Sequence, residues 1–125
     1  MGNISFKDFQ ELDLRIGTVV KAEVPEWSHW VIKLSVDFGE EIGERTIFAG
    51  VLGFYDPKDL EGKQFPFVIN LEPKKIGPKG DYSEGMMLAT SMNLEKPVTI
   101  ADEETFEKPI LLAPSEKVPP GAKIR

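Results

Sequence analysis

Leu12-Asp13-Leu14-Arg15-Ile16-Gly17-Thr18-Val19-Val20-Lys21-Ala22-Glu23-Val24 puts an apolar or small side chain at every second position from Leu12 to Val24. A period of two is the signature of a strand with one buried face. The spacing therefore predicts a long first strand whose inward set is Leu12, Leu14, Ile16, Thr18, Val20, Ala22 and Val24. Gly17 in its middle predicts a bulge or a sharp bend, as a small barrel needs where a strand turns a corner.

Outward from this strand the chain keeps the same grammar. Ser5 with Asp8 three residues on reads as a capped helical turn just before it. Trp30, Ile32, Leu34, Val36 and Phe38 alternate as a second strand, with Trp30 expected to continue the inward row. Glycines at 39 and 43 bracket a turn into a third strand over 45–52, apolar on both faces. Asp56-Pro57 supplies a cap and a first-position proline for a brief helix ended by Gly62. A fourth strand covers 65–69, with Pro66 suggesting an edge. A Lys/Gly/Pro-rich loop spans 72–85, a fifth strand covers 86–90, and two short strands are expected at 98–100 and 110–113. Five strands with a helix between the third and fourth describe an all-β, OB-type five-stranded Greek-key barrel with short helices and extra C-terminal strands, a single domain over 1–125.

Bulk properties narrow the function. Hydrophobic residues at 41% and charged residues at 29% fit a globular chain rather than a disordered one. Cysteine is absent, so disulfides and thiolate chemistry are excluded. No apolar run reaches the roughly 18 residues of a membrane span, and no basic-then-apolar signal peptide opens the chain, which together suggest a cytoplasmic protein. The net charge of −6 runs against a nucleic-acid ligand, but it is unevenly spread. Asp102, Glu103, Glu104 and Glu107 cluster, consistent with a solubilising loop, whereas 73–80 holds Lys74, Lys75 and Lys79 with no acid.

Catalysis finds little support. His29 is the sole histidine, with no partner to complete a metal site, and Ser28 beside it lacks a third group to orient a dyad. His29 reads as a solvated or interface loop residue. Gly77-Pro78-Lys79-Gly80 has neither the spacing nor the strand-to-helix setting of a phosphate loop. The chain is read as no enzyme, without metal or cofactor.

Two features remain. Asn70-Leu71-Glu72-Pro73-Lys74-Lys75-Ile76-Gly77, followed by Ser83-Glu84-Gly85-Met86-Met87-Leu88-Ala89, sets three ammonium groups beside an amide and a hydroxyl. That is a backbone clamp suited to RNA: charge for phosphate, small polar groups for the 2′-hydroxyl, and Gly85 for close approach. Composition alone also fits an exposed hairpin whose lysines serve solubility. The second feature is the aromatic connection Trp27-Ser28-His29-Trp30, where core packing suits Trp30 and a partner surface suits Trp27, either protein or RNA.

The segment N-L-E-P-K-K-I…S-E-G-M-M-L-A resembles the signature of the tRNA-binding domain family. That family comprises stand-alone structure-specific tRNA-binding proteins, the C-terminal domain of methionyl-tRNA synthetases and the secretion chaperone CsaA. D-L-R-I-G-T-V-V-K-A-E at 13–23 is similar to the family's first strand, I-K-L-S-V-D-F-G-E-E-I-G at 32–43 resembles the CsaA branch, and V-P-P-G at 118–121 resembles its terminal turn. The resemblance implies an OB-fold, a homodimer and recognition of tRNA by shape. By position it implies Asn70, Lys74, Lys75, Ser83, Glu84 and Met86 as RNA-binding residues; Lys79 is added on charge. Trp27 and His29 are candidates for a partner or dimer contact. Asp13, Arg15 and Gly17 also match and read as structural, with an RNA contact by Arg15 left open.

A rival role comes from the same resemblance: a CsaA-like export chaperone that binds extended polypeptide in the same groove. Overall acidity and the lack of a lysine in the Val24–Trp30 connection favour it. Partnership with an aminoacyl-tRNA synthetase is a further expectation; the run from Met1 onward speaks against a detached synthetase domain.

Overall fold

The computed structural model describes residues 2–125. In order, the elements are α1 (Phe6–Gln10), β1 (Leu14–Glu23), β2 (Ile32–Asp37), β3 (Glu44–Ala49), α2 (Pro57–Leu60), β4 (Gln64–Val68), β5 (Lys74–Lys75), β6 (Tyr82–Ser83), β7 (Met86–Met87), β8 (Ala89–Ile100) and β9 (Glu103–Leu111). The main antiparallel sheet runs β3-β2-β1-β4-β7. It closes on itself where the Glu84 N–H donates to the Thr46 carbonyl at 2.8 Å. The result is a nearly closed five-stranded, OB-like barrel.

β1 does curve, but not as its alternation predicts. Its register against β2 slips between Val19 and Lys21, so Val20 is the extra residue of a bulge. Leu14, Ile16 and Ala22 are buried as expected, but at the bulge the inward residue is Val19, fully buried, and Val20 is 53% exposed. Leu12 and Val24, expected inward, are also exposed. Gly17 is not the bulge. A Cβ there would lie 2.4 Å from Val36 Cγ1 and 2.6 Å from Phe38 Cε1, so this glycine lets β2's side chains cross close over β1.

The second strand keeps its predicted face, with Ile32, Leu34, Val36 and Phe38 all buried. Trp30 departs from it and stands 50% exposed at the barrel end, because the chain turns at Ser28 before β2 begins. The core is filled by these residues with Val19, Ile47, Leu60, Phe65 and Phe67. Phe38 meets Phe67 edge-to-face at 5.4 Å. Leu60 enters from α2, whose start is fixed by Asp56 accepting from Lys58 N–H.

β4 is an interior strand, buried at all five positions, although Pro66 suggested an edge. The missing N–H of Pro66 falls on the β7 side, where the ladder is ending; its carbonyl still accepts from Leu88 N–H at 2.9 Å. The C-terminal segment returns to the start of β1, with Ile124 N–H donating to Leu14 and Ile16 N–H donating to Ala122.

The largest departure lies after Leu88. The chain leaves the barrel as a long two-stranded arm, β8 against β9, turning at Ala101 and Asp102 with φ of 52° and 64°. The acidic cluster thus occupies the tip and the returning strand of this arm, not a loop.

Candidate nucleic-acid interface

β5 and β6 form a small hairpin standing beside the outer face of β2 and β3. Its tip is closed by Ile76 N–H donating to the Asp81 carbonyl at 2.8 Å, with Gly80 at φ +69°. Two side chains tie its root to the barrel. Ser83, only 6% exposed, accepts from Phe48 N–H at 3.0 Å and donates to Gly85 O at 2.9 Å. Glu84 Oε1 accepts from Thr46 N–H at 3.0 Å. The outward-facing amides of β3 are thus capped by side-chain oxygens where a neighbouring strand would supply carbonyls.

Trp27 is the wedge between hairpin and barrel. Its ring lies 5.7 Å from Phe48, and a Cβ on Gly77 would fall 2.4 Å from its Cζ2. Between hairpin and sheet opens a cavity of about 430 Å³ whose lining includes one cation, Lys33, two acids, Asp81 and Glu84, and Thr46, Phe48 and Tyr82. Lys33 reaches it from the outward row of β2. Tyr82 is 49% exposed and shares a face with Lys75, its cross-strand partner. Lys74, opposite Ser83, projects to the other face. Among the described residues the ion pairs are Arg15–Asp13 and Lys21–Glu23, so Lys33, Lys74, Lys75 and Lys79 leave their charge available to a ligand.

The hairpin thus carries three exposed lysines and one acid, Asp81, against an OB-like barrel. Residues 14–123 match the family model described as "Putative tRNA binding domain". The chain belongs to the tRNA-binding domain family.

Relatives within it include the methionine–tRNA ligases of Archaeoglobus fulgidus and Nitrosomonas europaea. They are 40% and 37% identical over 97% and 98% of this chain. The chain spans only 16% and 15% of those proteins. Among solved structures, a methionyl-tRNA-synthetase-related protein from Pyrococcus horikoshii superimposes with a TM-score of 0.80 at 35% identity, covering all of both chains. The chaperone CsaA from Bacillus anthracis gives 0.77 at 35% identity, covering 99% of this chain and all of that one.

For this tRNA-binding domain, the residues singled out from the sequence fall into two groups. Lys74, Lys75, Lys79 and Met86 are exposed around the hairpin and its exit. Asn70, Ser83 and Glu84 have structural duties: Asn70 Oδ1 accepts from Asp13 N–H at 2.8 Å, and its Nδ2 donates to Glu11 O at 2.7 Å. Arg15 is occupied by Asp13 and by the Gly121 carbonyl. His29 does not line this cavity; it is exposed beside Gly53 and the β8–β9 tip. Lys33 and Tyr82 were not singled out from the sequence. The alternation of β2 already places Lys33 outward, but its nearness to Tyr82 depends on the hairpin's tilt, which has no periodic signal.

Proposed function

We propose that this domain is a non-catalytic tRNA-binding module of the cytoplasm that reads tRNA by shape through the groove between the β5–β6 hairpin and the β2–β3 face. The supporting observation is the set of lysines around that groove, Lys33, Lys75 and Lys79 with Lys74 on the reverse face, none of them engaged in an ion pair among the described residues. Phosphates would meet the lysines, while Met86 packs at the groove's exit and Asn70, Ser83 and Glu84 hold its walls in register. Retention of total tRNA on immobilised protein, falling steeply with salt, tests this reading. Lys74→Glu with Lys75→Glu abolishes retention if the assignment holds; undiminished retention overturns it.

A second reading has its own support in the likeness to the Bacillus anthracis chaperone and in the net charge of −6. In it the same groove takes an extended polypeptide. Competition of tRNA against an unfolded basic peptide, at two salt concentrations, separates the two.

The working unit is proposed to be a homodimer. Met92, Val98 and Phe106 stand 50%, 36% and 52% exposed on the β8–β9 arm, apolar side chains that a second copy of the chain would cover. A synthetase is the alternative partner, in keeping with the multidomain ligases that carry this domain.

A further inference from the structure

The hairpin cavity holds more than charge. Tyr82 presents a half-exposed ring, and Glu84 stands on the same wall with one carboxylate oxygen committed to Thr46 N–H and the other uncommitted. The committed bond restrains the carboxylate, so the second oxygen, Oε2, is an oriented acceptor in a groove that also holds Lys33 and Asp81. Lys33 stands across the same cavity, within the volume range of small-ligand sites. Oε1 already has a structural task at Thr46 N–H, and a carboxylate repels phosphate, so Oε2 adds nothing to a groove that only counts charge. It does suit a base edge: an ionised acid accepts hydrogen bonds and donates none.

We infer that this cavity is a base-reading subsite, in which one unstacked nucleobase lies on Tyr82 and donates an exocyclic amine to Glu84 Oε2, with Lys33 beside the flanking phosphate. Stacking on an aromatic ring accepts any base. The carboxylate does not. Cytosine offers N4–H to it; uracil offers a carbonyl at the same place and is repelled. The subsite therefore selects amine-bearing bases and rejects uracil. This inference rests on the RNA-binding reading above and adds base selectivity to what is otherwise recognition by shape.

Cytosine and uracil have the same ring size, so comparing them isolates the carboxylate from stacking. Fluorescence anisotropy of labelled (rC)6 and (rU)6 at low salt is the measurement, with total-tRNA retention run on the same samples. The wild-type protein should bind (rC)6 about tenfold more tightly than (rU)6, the worth of one hydrogen bond to a charged group. Glu84→Gln keeps an oxygen for Thr46 N–H and turns the free position into a donor, so the preference should reverse toward (rU)6. Tyr82→Ala, at an exposed site that the fold does not need, should weaken both hexamers and leave their ratio nearer one. An unchanged C-to-U ratio in Glu84→Gln overturns the subsite, as does a wild-type protein that binds neither hexamer. If tRNA is still retained, and lost in the lysine variants, the tRNA reading survives that failure. Displacement of neither hexamer but only of an unfolded peptide by Tyr82→Ala would assign the cavity to polypeptide and refute the inference.

Discussion

Ser83 and Phe48 are 35 residues apart in sequence, yet the Ser83 hydroxyl is the acceptor for the Phe48 amide at 3.0 Å. Both residues are buried, and together with the Glu84 contacts to Thr46 this bond fastens the base of the hairpin to the third strand. Ser83→Ala leaves the Phe48 N–H without a partner, at a cost of about 1–3 kcal/mol. Urea denaturation should show the midpoint falling with an unchanged slope. A midpoint equal to wild type would mean that water or another oxygen replaces the hydroxyl.

Gly77 faces Trp27 and Asp81 at distances no Cβ tolerates, 2.4 and 2.5 Å. Gly77→Ala should push the hairpin off the barrel, costing about 1–3 kcal/mol as overpacked sites do. The displaced indole should redshift in emission, and tRNA retention should drop even though no lysine has been touched. Retention at the wild-type level would show that the groove does not depend on hairpin position.

The slope of log affinity against log salt counts the phosphates met by lysine. Replacing Lys74 and Lys75 by Gln should lower its magnitude by roughly 1–2. Lys58→Gln, on α2 away from the groove, should leave it unchanged. Equal slopes in all three proteins would place the polyanion elsewhere.

Met92→Lys with Phe106→Lys sets charge on the most exposed apolar positions of the β8–β9 arm. Light scattering after size exclusion should report a dimer for wild type and about 14 kDa for the variant. A variant of unchanged mass would remove the arm from the dimer interface.

The sequence was most legible where side chains alternate without interruption. β2 is the clear case: Ile32 to Phe38 face inward as spaced. The Ser5 and Asp56 caps also form as their residue types predict. β1 was legible as a strand but only partly in phase: Leu14, Ile16 and Ala22 are buried as spaced, whereas the bulge at Val20 is set by pairing with β2 and leaves no local mark. The β8–β9 arm was hidden for a different reason. Exposed on most of its surface, with Pro97 and Pro109 inside it, it has no buried row to betray its period. The tryptophans show the same limit. Parity favoured burying Trp30, yet the turn at Ser28 exposes it and folds Trp27 under the hairpin instead. At the site, the lysines could be found by charge. That Asn70, Ser83 and Glu84 are fasteners could not, since their partners Asp13, Phe48 and Thr46 lie 35 to 57 residues away.

The placement of those two indoles has a practical consequence. Trp27 sits under the hairpin and Trp30 beside the tip of the long arm, on either side of the turn at Ser28. With Trp30→Phe the remaining emission watches the groove alone; with Trp27→Phe it watches the arm. The molecule carries a built-in optical gauge for each of these two surfaces, and occupancy at one can be followed without labelling the other.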